Sequence, residues 1–208
     1  MKKVIKWLQN YWYHYKFRTI FFLFLGIVAV VTICEIATKE HFDMNVYLYT
    51  SQFISDDVED ALEETIEEYY SEIGEEKNVQ VVDLSYDPLT VDGEMRMSYA
   101  AALTGELRMK NDFLYITDAY RFEELDKNET FDNVFGQNEF FDKYNKKAYS
   151  ISGGRFEKLF VEKLAENNVK VEKMPELFLS ILTEPYEDKK VENYKAARDL
   201  AQYIVETD

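Results

Sequence analysis

Residues Thr19 to Cys34, TIFFLFLGIVAVVTIC, run for sixteen positions without a charged side chain. With flanks from Phe17 to Ala37 the stretch is 21 residues long. As a helix it spans about 31 Å, close to the hydrocarbon thickness of a bilayer. Lys2, Lys3, Lys6, Lys16 and Arg18 precede it without an acid among them, whereas Lys39, Glu40 and Asp43 follow. The positive-inside bias predicts a cytoplasmic N-terminus and an outer position for everything after about residue 38. Trp7, Tyr11, Trp12, Tyr13, Tyr15 and Phe17 form an aromatic cluster suited to the headgroup layer. A cleaved signal peptide needs small residues before its cleavage site. Glu35-Ile36-Ala37 puts Glu at one of those positions, so the segment reads as an uncleaved signal anchor. Thr32-Ile33 precede Cys34 where a lipoprotein signal carries small residues, so Cys34 reads as an inert, buried thiol. The expected organisation is a cytoplasmic aromatic and basic tail over 1–17, a transmembrane anchor over 18–37, and an outer domain over 38–208.

The charge of that outer domain narrows its chemistry. The first 37 residues hold five of the 24 Lys+Arg and one of the 40 Asp+Glu, which leaves 38–208 at a net −20. Nucleic acid is excluded as the main partner, because phosphate binding needs clustered Lys and Arg. A single Cys rules out an intrachain disulfide. Both histidines, His14 and His41, lie in the first 41 residues, which leaves almost nothing from which to build a zinc site or a Ser-His-Asp triad. With 47% hydrophobic residues the chain has the material for one good core.

Periodicity along 38–208 alternates between strand and helix. Asn45–Thr50 is β-rich. Ser55 stands as an N-cap before acids and an apolar repeat at Val58, Ala61, Leu62, Thr65, Ile66 and Tyr69, predicting a helix over 55–72 that stops at Gly74. In that helix Glu59, Glu63, Glu64, Glu67 and Glu68 are expected on the wet side. Val79–Tyr86 is a second strand, and Asp87-Pro88 and Asp92-Gly93 are turns. A helix follows over 94–109, with Gly105 as its weak point. Asp112–Thr117 is a third strand, followed by a short helix over 118–125. Phe131–Ser150 is aromatic and irregular. A helix carrying Phe156, Leu159, Phe160 and Leu164 starts at Gly153-Gly154, Leu177–Leu182 is the last strand, and Val191–Val205 is a terminal amphipathic helix. The pattern predicts an α/β three-layer sandwich with a mainly parallel sheet, preceded by one transmembrane helix.

Val46-Tyr-Leu-Tyr-Thr-Ser51, a polar gap, an acidic amphipathic helix and then Val79-Gln-Val-Val resemble the opening of type II extracellular solute-binding proteins. In those proteins the first strand ends at a Thr/Ser loop. Leu107–Asp118 looks like their third strand, which ends in a polar residue at the ligand cleft. The whole arrangement is similar to a group of uncharacterised single-pass membrane proteins of Gram-positive bacteria. Those carry a Tyr/Trp/Lys-rich start, one membrane helix and a single such lobe. The resemblance implies one lobe where a solute-binding protein closes two, so half a cleft.

In open α/β sheets ligands gather beyond the carboxyl ends of the strands. That places Thr50, Ser51, Asp118 and Tyr120 as the candidate ligand edge, with helix capping as the competing account of Ser51 and Asp118. Asp83, Asp87, Asp92 and Glu94 do not follow calcium-loop spacing and read as solvated surface. Gly153-Gly154 lacks a following Lys-Ser/Thr and is not a phosphate loop. Asn128-Glu129-Thr130 is a sequon by chance. No metal or cofactor is expected, and the abundant carboxylates form no catalytic signature. The reading is a membrane-anchored, extracytoplasmic binding or accessory lobe without catalysis. It would meet the lipid bilayer and either a protein partner or a small polar ligand. The alternative is a structural or assembly protein whose outer domain serves as a protein contact.

Overall fold

The computed structural model describes residues 2–38, 42–52, 54–133, 147–167, 169 and 176–207. It divides the chain into two units, residues 1–41 and 42–208.

The first unit is a helix, α1 (Lys2–Thr38), continuous through the aromatic tail and the apolar run. Within it Tyr11–Ile33 is long and apolar enough to cross a membrane, at a mean hydropathy of 2.0 with nothing covering its sides. The Cys34 side chain lies outside the described residues.

The second unit is an α/β fold around a mixed five-stranded sheet. Its elements are β1 (Met44–Tyr49), α2 (Asp56–Glu72), β2 (Val79–Asp83), α3 (Gly93–Met109), β3 (Leu114–Asp118), α4 (Ala119–Asp126), β4 (Ala148–Ser150), α5 (Arg155–Glu166), β5 (Leu177–Ile181) and α6 (Val191–Thr207). The strand order is β2-β1-β3-β5-β4. β1 pairs in parallel with β2 and β3, through Val46↔Val81 and Val46↔Leu114. β5 pairs antiparallel with β3 and with β4. Two of the four ladders are therefore antiparallel, and β5 alone runs against the other four strands. A wholly buried strand such as β5, LFLSI, carries no alternation from which direction can be read. Of the stretch 131–150, residues 134–146 lie outside the described residues, 148–150 form β4, and Phe131 bridges to Leu182.

Successive strand residues face opposite sides. Tyr47, Tyr49, Tyr115 and Thr117 share one face. There Tyr47 stacks on Tyr115 with ring centroids 4.9 Å apart and donates to Glu106 of α3 at 2.6 Å. Val46, Leu48, Leu114 and Ile116 carry the other face, all fully buried. The core continues through Tyr69 of α2 stacked on Phe156 of α5, and through Ala197, Leu200, Ala201 and Ile204 of α6.

α2 begins where expected. Ser55 takes the N-cap conformation, but its side chain makes no capping bond; its carbonyl accepts from Val58 N at 2.8 Å. The helix stops at Gly74, whose φ of +82° closes the last turn with Glu75 N donating to Tyr70 O. Two of the glutamates assigned to the wet side do something else. Glu63 accepts from Val81 N at 2.7 Å and Glu67 from Val79 N at 2.9 Å. β2 is an edge strand, so these carboxylates satisfy its outward N–H groups and blunt it against pairing with another chain.

Candidate functional site

β1 sits between β2 and β3, with the chain crossing from β2 to β3 past it, so the carboxyl ends of β1 and β3 form the sheet's switch point. Thr50, Ser51 and Asp118 come together there. Ser51 N donates to Asp118 Oδ2 at 2.7 Å, and Arg121 N donates to Asp118 Oδ1 at 2.8 Å. Asp118 thus caps α4 and ties it to the end of β1 with both oxygens engaged. Thr50 is fully buried. Its N–H donates to Ser85 Oγ at 2.9 Å and its hydroxyl to Gln52 O at 2.9 Å. Tyr120 is not part of this convergence: it is 59% exposed, and its ring centroid lies 5.5 Å from the Arg121 guanidinium carbon.

The residue that organises this end of the sheet is Arg121, which the sequence reading does not single out. Its side chain is 1% exposed. Nη1 donates to Glu124 Oε2 at 2.7 Å and to Tyr49 Oη at 2.9 Å, and Nη2 donates to Tyr86 O at 2.8 Å. The guanidinium carbon lies 4.5 Å from the Tyr49 ring centroid and 4.0 Å from that of Tyr86. Tyr86 in turn stacks on Tyr99 of α3 at 5.0 Å. One buried cation therefore gathers the ends of β1, β2 and β3 and a residue of α3. Burial alone pulls the guanidinium down; the bond to Glu124, with Tyr49 and Tyr86, more than offsets it and leaves Arg121 above its ordinary value. Burial pushes the Tyr49 phenol well up, with Arg121 pulling it back. Nothing in the sequence around Ala119-Tyr-Arg-Phe marks this arginine, because two of its partners, Tyr49 and Tyr86, come from the ends of two distant strands.

The edge is largely satisfied from within. Among the described residues Ser51 Oγ, Thr117 Oγ1 and Arg121 Nε lack a hydrogen-bond partner. On the same sheet face as Thr117, Tyr115 Oη and Ser180 Oγ are likewise buried without one. A pocket of about 20 Å³ lies at the opposite end of β1, lined by Asp43, Met44, Lys77, Asp112, Phe113, Asn193 and Ala196. That is room for about one water. Asp112 there is engaged by Asn45, through N at 3.1 Å and Nδ2 at 2.8 Å.

Among the described residues no group of three His, Cys, Asp or Glu is arranged to hold a metal ion. Three of the four acids weighed as a calcium group serve turns and caps instead. Asp83 accepts from Ser85 N, Asp87 from Leu89 N, and Asp92 caps α3 through Met95 N at 2.8 Å. α3 itself is thinly anchored. Leu103 is its one buried residue, and Met95, Met97 and Met109 are exposed. No protein-family model, curated protein or solved structure matches the chain.

Proposed function

We propose that the chain is a single-pass membrane protein, with its N-terminus in the cytoplasm and 38–208 outside, whose outer domain is an accessory or assembly lobe working through protein contact. The orientation rests on the five basic residues before the apolar run and their scarcity just after it. The observation that carries the contact reading is α3, which packs on the core through Leu103, Tyr99 and Leu107 and leaves Met95, Met97 and Met109 to solvent. Its sequence, GEMRMSYAAALTGELRM, has nine apolar side chains, of which Leu103 is buried and Tyr99 and Leu107 are half-buried. An apolar helix surface left to solvent marks an interaction site. Helices on both faces, a three-layer arrangement, belong to the same reading: α3 and α4 reach the tyrosine face through Glu106 and Glu124.

A second reading keeps the ligand edge. The unpartnered Ser51 Oγ and Arg121 Nε at the switch point favour it. Against it, both Asp118 oxygens and the Thr50 hydroxyl are already engaged. A photo-crosslinking side chain at Met97, in the full chain in its own membrane, tests the first reading. A discrete adduct is expected; absence of any adduct would overturn protein contact at this face.

A further inference from the structure

We infer that the occupant of the outward face of α3 is α3 of a second copy, packed antiparallel about a two-fold axis at Ala101. This rests on the protein-contact reading of that helix. At about 100° per residue, Glu94, Met97, Ala101, Gly105 and Arg108 fall on the side opposite Leu103. Glu94 stands seven residues before Ala101 and Arg108 seven after, about two turns each way. An antiparallel copy therefore sets Glu94 against the second copy's Arg108, and Arg108 against its Glu94. The same operation sets Met97, 75% exposed, over the second copy's Gly105. A stripe that complements itself under rotation is the requirement of an isologous interface.

Three observations favour this occupant over solvent. Among the described residues neither Glu94 nor Arg108 has an ion-pair or hydrogen-bond partner within the chain, although both sit on a helix of an otherwise strongly acidic domain. Gly105 lies inside the helix, where Gly costs about 1 kcal/mol against Ala, and nothing within 4 Å would meet a Cβ there. Among the described residues no contact requires that glycine, and its bare backbone leaves room for the close approach of another helix. The macrodipole accounts for Glu94 and Arg108 singly, but not for Gly105 or for the bare Met97. A helix-wide contact is small for a stable dimer in solution. Two copies held in one membrane meet at a raised effective concentration, and a modest interface then suffices.

The test uses the full chain in liposomes. In a Cys34→Ser background, Ala101→Cys should form a disulfide-linked dimer on mild oxidation, while Val161→Cys, exposed on α5, should not. Adding Glu94→Arg or Arg108→Glu to Ala101→Cys should slow that cross-link about tenfold, and the two together should restore it. Single reversals without effect, a double variant that fails to recover while its helicity is intact, or equal cross-linking through Val161→Cys would each overturn the pairing. The photo-crosslinker at Met97 separates this inference from the reading beneath it. An adduct at twice the chain mass supports both. An adduct of another mass overturns the self-pairing and leaves protein contact standing, and no adduct overturns both.

Discussion

The backbone N–H of Ser51 donates to the carboxylate of Asp118 at 2.7 Å, so the ends of β1 and β3 are fastened to each other by a side chain that also caps α4. Two neighbouring parallel strands end in loops that cannot separate without leaving a carboxylate unsatisfied.

Asp118→Ala should therefore cost more than an ordinary cap. A lone N-cap is worth about 0.5–2 kcal/mol, and the Ser51 bond adds a charge-assisted contact of about 1.5–3 kcal/mol. The expected loss is about 2–5 kcal/mol, with Asp118→Asn losing about half of that, read from denaturant midpoints. A loss under about 1 kcal/mol in Asp118→Ala would show that the tie to Ser51 contributes nothing.

Arg121→Ala should be the most destabilising change at this end of the sheet, at about 3–5 kcal/mol. It empties the space between Tyr49 and Tyr86 and leaves the Tyr86 carbonyl without its donor. Arg121→Lys should recover only part of this, because an ammonium cannot serve Tyr49, Glu124 and the Tyr86 carbonyl from one plane. A Lys variant as stable as the parent would contradict the role assigned to the planar fork.

Glu59, at the start of α2, is held up to about 7 by burial and by Asp83, Asp56, Glu63 and Asp60 around it. Its folded value lies above its unfolded value, so between about pH 4.5 and 7 the folded chain binds the extra proton. Stability from this group is present at the acid end of that window and is lost as pH rises through it. Melting temperature should fall across the window, and Glu59→Gln should flatten that slope and raise the melting temperature at pH 8. An unchanged slope in Glu59→Gln would place the pH dependence elsewhere.

Residues 42–208 should fold by themselves, cooperatively and with or without reductant, since they form their own unit and contain no Cys. In intact cells, protease added from outside should digest this unit and spare the N-terminal tail. Protection of the unit would reverse the orientation.

Most of the architecture was legible because helices and strands here obey their own periods. Gly74 after Glu72 marks a helix end by local chemistry that survives in the fold; Ser55 before Asp56-Asp57 marks a helix start although its hydroxyl makes no capping bond, and Asp92, read as part of a turn, caps α3. Thr50, Ser51 and Asp118 were reachable by the same logic, since strand ends in a β-α-β pattern converge. Three things were not reachable. The direction of β5 depends on which neighbour it finds, not on its five buried residues. The turn of Glu63 and Glu67 onto the edge of β2 needs a strand at a distance no helical wheel contains. Arg121 is a surface residue by composition, and only the meeting of Tyr49, Tyr86 and Glu124 makes its burial tolerable.

The division of the chain at residue 41 also divides its chromophores. Both tryptophans, Trp7 and Trp12, lie in α1, while the outer unit has tyrosine alone, with Tyr47, Tyr49, Tyr69, Tyr70, Tyr86, Tyr115 and Tyr194 buried in it. Indole emission from the native chain thus reports only the surroundings of the N-terminal helix, and phenol emission is dominated by the outer core. The protein comes with two separate optical channels, and melting of the outer unit is readable without a label and without disturbing the anchor's own signal.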